Sequence, residues 1–137
     1  MSSGNNVEIV RCALEAFNRG GVDAALHYLD PDIEWWGPPE WLEERLYRGH
    51  DGVRQLASFW TQTFDEYRID LDEASESGNT VLALCHQRGR MKGSGDQIEE
   101  PIAYIWEVHN EKATRVDVYF SWEAAVDAAN RAARHSD

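Results

Sequence analysis

Two side chains on one strand pattern are the chain's leading candidates for chemistry. In the run QIEEPIAYIWEVH, Glu100, Ile102, Tyr104 and Trp106 share one parity, so Glu100 and Tyr104 belong to the same face of a strand. A phenol facing an apolar interior can donate a hydrogen bond to a carbonyl or enolate oxygen. It can equally be a core tyrosine bonded to a buried carbonyl or water. An apolar setting would raise the pKa of Glu100 and make it a base or proton shuttle near neutral pH. The alternative is a solvated strand-end carboxylate, since glutamate is seldom buried.

The remaining polar groups point to less. Gln87 could orient a ligand carbonyl or satisfy a backbone group. Glu34 precedes Trp35 and points away from it, which suits pairing with an arginine. His50, His86 and His109 have no mutual spacing that suggests a metal or a relay. Cys12 and Cys85 lack CxxC spacing and neighbouring histidines, which argues against zinc and for two buried, reduced thiols. No stretch resembles a nucleophile elbow, a phosphate loop or a metal cluster.

The elements that must hold these groups follow from periodicity. Val7, Val10, Leu14 and Phe17 mark a helix over about 5–19, ended by Gly20 and Gly21. A short helix over about 22–29 stops at Asp30-Pro31, and Ile33 to Trp36 reads as a short strand. A third helix has Asp51 as its N-cap and Val53, Leu56, Trp60 and Phe64 on its buried face. From about residue 67 the period becomes two, giving strands over about 67–76, 80–92, 97–110 and 113–120. Ser77-Gly78-Asn79 and Asn110-Glu111-Lys112 are the hairpin turns, with Gly93-Ser94-Gly95 between the middle pair. Ser121 caps a last helix over about 122–134. The order predicts a single α+β domain, helices on one face of a curved antiparallel sheet.

Alternation then assigns the faces. Burying Arg88 and Arg90 would be costly, while Glu99 and Glu107 could pair with them across strands. Cys85 and Gln87 are therefore expected inside and His86 outside, unless a one-residue bulge at Gly89 or Gly93 reverses the order. Val116, Val118 and Phe120 share the inner face of the last strand. Pro101 falls on the outer parity, where it marks a bulge or an edge.

Composition limits the possible partners. The chain has 13 basic and 25 acidic residues, a net charge of −12, which repels nucleic acid and anionic membrane. No apolar run approaches the ~20 residues of a membrane helix. The N-terminus has neither a basic start nor an apolar signal core, so a cytoplasmic protein is expected.

The segments ALEAFNRGGVDAALHYLDPDIEW, YRGHDGV, RGRMKGSG and PIAYIWEVHNEKATRVDVYF together resemble the SnoaL-like polyketide cyclase family. That family lies within the ketosteroid isomerase-like, or nuclear transport factor 2-like, superfamily, and the resemblance runs from about Val7 to Ala133. It implies a cone whose helices close the concave face of the sheet around a hydrophobic cavity. On that fold Phe17, Trp35, Trp60, Phe64, Gln87, Trp106, Val118 and Phe120 become ligand-binding candidates, with Tyr104 and Glu100 as catalytic ones. Trp36 and Trp41 would cover the mouth or the surface beyond it.

The superfamily holds isomerases, dehydratases, epoxide hydrolases, polyketide cyclases and non-catalytic binders, so the site must decide function. Ketosteroid isomerase uses an Asp base with a Tyr and a protonated Asp on the oxyanion. The resemblance places Ala13 at that Tyr, Gly37 at the base and Tyr104 at the protonated Asp, which argues against that mechanism here.

Three readings follow. The first is a binder of a small, apolar polyketide-, terpenoid- or aromatic-type molecule. As an enzyme it would move protons without a cofactor, in isomerisation, dehydration or cyclisation. The second is a non-catalytic binding or protein-interaction module on the same fold, and the third a cavity filled by its own tryptophans. The resemblance further implies a homodimer through the outer sheet face, which carries Ala103 and Ile105.

Overall fold

A computed structural model describes residues 5–38 and 45–135, the side chains of 132–135 excepted. Helix α1 (Asn6–Gly20) buries Val10, Ala13 and Leu14 and ends where the Gly21 N–H donates to the Phe17 carbonyl. Helix α2 (Val22–Ala25) runs into a 3₁₀ turn over Leu26–Tyr28. The second helix therefore stops before Asp30-Pro31, which lies inside strand β1 (Leu29–Trp36). There Asp30 Oδ1 accepts from the Asp32 N–H at 2.8 Å, a local Asx bond that fits the irregular register between Leu29 and Glu34.

Strand β2 (Leu46–Arg48), too short for its period to show, precedes helix α3 (Gly49–Thr63). Arg48 occupies the N-cap without a side-chain bond, so Asp51 is not the cap. It sits in the first turn, where its charge suits the helix dipole, and it meets Arg54 at 3.3 Å. Phe64 is likewise not on this helix, because it opens strand β3 (Phe64–Ser77). Strands β4 (Thr80–Met91), β5 (Gln97–His109) and β6 (Lys112–Tyr119) complete the sheet. Helix α4 (Trp122–His135) closes the chain, and the Ser121 hydroxyl accepts from the Ala124 N–H at 3.2 Å, as a cap should.

The six strands lie in the order β2-β1-β6-β5-β4-β3. All pairings are antiparallel except β1 with β6, so the sheet is mixed. Asn110 and Glu111 both have positive φ (53° and 65°), the backbone of the two-residue turn that a right-twisted hairpin favours. Pro101 pairs with His86 but lies beyond Ala103, the last β5 residue matched to β6. A local edge there accommodates its missing N–H.

Alternation on β4 and β5 holds throughout. Val81, Ala83, Cys85 and Gln87 are buried inward, while His86 is half-exposed beside Asp72. The bulge sits on β3 instead. Between the pairs Asp65↔Arg90 and Arg68↔Arg88, the two residues Glu66 and Tyr67 face Gly89 alone. Glu66 takes φ 56°, and the extra residue puts Phe64 and Tyr67 on one face although they are three apart.

Helix α1 is tied to this edge strand by a side chain. Asn18 Nδ2 donates to the Ile69 carbonyl (2.7 Å) and Asn18 Oδ1 accepts from the Ile69 N–H (2.9 Å). At the other end of the chain, the Trp122 Nε1–H donates to the Cys85 carbonyl at 2.9 Å and the ring meets His86 edge-on. These contacts hold α4 against β4, β5 and β6. Ala103, of outward parity, is fully buried, and Ile105 half-buried. Arg88 pairs with Glu99 at 2.8 Å as expected, but Arg90 faces Glu66 (3.6 Å) rather than Glu107, which has His109 Nε2 at 3.8 Å. No helix among the described residues is long and apolar enough to cross a membrane.

Candidate functional site

The concave face of the sheet and the three N-terminal helices enclose a cavity of about 90 Å³. Helix α1 contributes Ala13, Leu14 and Phe17, because a three- and four-residue spacing points them to one side. Helix α3 contributes Leu56 and Trp60 by the same rule. Strand β1 brings Trp35, β5 brings Ile102, Tyr104 and Trp106 at every second position, and β6 brings Val118, with Phe120 just beyond it.

Seven of the expected residues line this space: Phe17, Trp35, Trp60, Tyr104, Trp106, Val118 and Phe120. Phe64 and Gln87 do not. They stand behind Tyr67, which does. Phe64, Trp60 and Tyr67 form a near-parallel stack with ring centroids 5.7–5.9 Å apart. The Tyr67 hydroxyl donates to Gln87 Oε1 at 2.7 Å, so Gln87 fixes a wall residue instead of facing a ligand. Tyr67 is the residue the sequence reading lacks, and Gly89, a glycine inside a strand pattern, is the signal that could have found it.

Glu100 is not brought to the cavity. It lies on the Tyr104 face as expected, opposite Gln87, but it is exposed and absent from the lining. Four residues of strand separate it from Tyr104, about 13 Å at the usual rise. Among the described residues, every polar side-chain group in the lining belongs to a tyrosine or a tryptophan; no carboxylate, histidine, lysine or arginine is present.

Tyr104 is 3% exposed. Burial raises its pKa well above the ordinary 10, and the nearby Tyr67 and Cys85 add to the effect. It is therefore a neutral donor at any physiological pH. Burial likewise raises Tyr67, and it pushes the Cys85 thiol up to about 12, with Asp72 and Asp70 contributing, so this sulfur is unreactive. Cys12 is half-buried.

The other candidates have structural partners. His50 Nε2 lies 2.9 Å from the Leu29 carbonyl, and Glu34 accepts from Trp36 Nε1 (3.2 Å) while facing Arg48 (3.8 Å). Trp36 is not in the lining, and the guanidinium groups of Arg45 and Arg115 lie 5.7 and 5.3 Å from its ring centroid. Trp41 lies outside the described residues. Ala13 and Gly37, which the resemblance sets against two catalytic groups of the isomerase, are both in the lining and offer no side-chain polar atom. Among the described residues no cluster of His, Cys, Asp or Glu could hold a metal ion.

The family model of the SnoaL-like domain matches residues 10–116, well over half of the chain. Solved structures of the same fold are numerous. An NTF2-like protein of unknown function from Burkholderia pseudomallei is 25% identical, with a TM-score of 0.74, covering 90% of this chain and 95% of that one. TerC, co-crystallised with polyporic acid, is 20% identical, with a TM-score of 0.74, covering 89% and 95%. A hypothetical protein from Catenulispora acidiphila with a ketosteroid isomerase-like fold, in complex with trimethylamine, is 17% identical, with a TM-score of 0.73, covering 83% and 85%. No curated protein matches the chain.

Proposed function

The chain belongs to the SnoaL-like domain family, and from that premise we propose that it binds a small, neutral, mostly apolar molecule in the cavity rather than catalysing proton transfer there. One observation carries this reading. The described cavity walls supply apolar surface and hydrogen-bond donors but no ionisable group suited to act as a base. Isomerisation, dehydration and aldol-type cyclisation all need a proton removed, and Glu100, the carboxylate expected to do so, is exposed and not among the lining residues.

Size narrows the ligand. A cavity of about 90 Å³ is of the same order as an apolar cavity of ~150 Å³ that takes up benzene. It is well below the ~300–1,000 Å³ of sites for drug-sized ligands. A single-ring molecule fits that space; a multi-ring polyketide would require the walls to part. That the fold takes small molecules in other proteins, as TerC does polyporic acid, supports the reading at the level of fold.

Titration with toluene, phenol and indole, followed by calorimetry and by the fluorescence of Trp35, Trp60 and Trp106, tests it. Saturable binding of at least one probe is expected, with a rise in Tm; at 100 times Kd the folded state gains about 2.7 kcal/mol. Ala57→Phe, which fills the cavity from α3, should abolish that binding. Failure of every probe to bind, or turnover that disappears in Glu100→Gln, would defeat the proposal.

A further inference from the structure

Three side chains that carry hydrogen-bond donors adjoin one another in the cavity wall. Trp35 and Trp106 are both matched to Val116 of β6, one from each side, so their indoles flank it on the concave face. Tyr104 precedes Trp106 by two residues and is matched to Val118. The three rings form a closed triangle of edge-to-face contacts, with centroids 5.8, 6.0 and 6.2 Å apart.

The polar atoms of the two indoles lack partners. The Nε1–H groups of Trp35 and Trp106 are both shut off from solvent with no hydrogen bond. Native proteins leave few buried donors unpaired, because each keeps the full cost of losing water. Two on touching rings, both in the lining of one cavity, call for a reason. Contact of an indole N–H with a neighbouring ring face is a weak substitute.

We infer that the cavity selects ligands carrying an uncharged hydrogen-bond acceptor, a ring ketone, aldehyde or quinone oxygen, held by the donors of Trp35, Trp106 and Tyr104. A carbonyl oxygen has two lone pairs and can accept from two of these groups at once. Tryptophan offers no acceptor, so a ligand group that can only donate gains no hydrogen bond from the two indoles. The inference rests on the cavity being a binding site.

Acetophenone and ethylbenzene separate the two ideas, being alike in shape and different only at the oxygen. A cavity without available donors prefers ethylbenzene, because the carbonyl must shed water unrewarded. The donor triad reverses the order, and we expect acetophenone to bind at least tenfold more tightly. In ¹⁵N-labelled protein the indole N–H resonances of Trp35 and Trp106, assigned through their proximity to the Val116 methyls, should move downfield with acetophenone and not with ethylbenzene. If both compounds bind and the indole resonances respond alike, the cavity reading stands and the donor assignment falls. If neither binds, both fall.

Discussion

The bond between Tyr67 and Gln87 should be worth far more as a pair than either half suggests. Tyr67→Phe removes only a hydroxyl, but it strands Gln87 Oε1, previously 2.7 Å from its donor, in a residue that is 9% exposed. An unsatisfied buried acceptor costs about 1–3 kcal/mol, and the slight exposure of Gln87 places the loss near 1–2 kcal/mol. Gln87→Leu strands the Tyr67 hydroxyl against the same apolar wall, with a loss of similar size. Replacing both removes donor and acceptor together, which can be nearly neutral. Additive effects would thus cost about 2–4 kcal/mol in the double variant, whereas the structure predicts about 0–1 kcal/mol. Urea unfolding of the four proteins measures this, each kcal/mol shifting the midpoint by roughly 0.3–1 M. A double variant as unstable as the sum of its parts would show that the two side chains do not depend on each other.

Two further outcomes follow from the same wall. A methyl group on Gly89 would lie 3.2 Å from Phe64 Cβ and 3.4 Å from Tyr67 Cδ1, so Gly89→Ala should cost about 1–3 kcal/mol by overpacking. It should also alter the near-UV circular dichroism of the Trp60–Phe64–Tyr67 stack, and unchanged stability and spectrum would count against the bulge packing. The Cys85 thiol is raised to about 12, so the stability tied to its protonation is complete below the unfolded value near ~8.5 and is lost as pH climbs toward 12. Cys85→Ala should flatten the fall in denaturant midpoint that begins above pH 9, before the phenols titrate; an identical fall in both proteins would refute this.

Much of the sheet was legible because β4 and β5 pair in unbroken register from Thr80↔Glu107 to Arg90↔Gln97, the one shift between β5 and β6 lying on β6 at Thr114. Their hairpins turn at Gly78-Asn79 and Asn110-Glu111, and strict alternation then decides which of His86 and Gln87 faces in. Strand β3 was not legible, for a definite physical reason. It shifts register twice, between Asp65 and Arg68 and between Leu71 and Glu73, and each shift reverses the parity on which a face assignment depends. Tyr67 was lost there, and Phe64 was credited to the preceding helix because its spacing from Trp60 suits either element. Glu100 illustrates a different limit. Parity names the face of a strand but not how far along it the covering helices extend, and β5 outruns its roof. Gly37 and Ala13, by contrast, were informative through what they lack.

The pair of hydrogen bonds from Asn18 to Ile69 makes the helix over the cavity the partner of an edge strand. An open edge invites another chain to add to it. Lifting α1 to admit a ligand would therefore do two things at once, baring the cavity and offering β3 as a template for aggregation. A ligand entering past Trp60, half-exposed on α3 and part of the lining, would leave α1 in place. Solubility and ligand access thus draw on the same two bonds, and a variant such as Asn18→Ala should be judged first by whether it stays monodisperse.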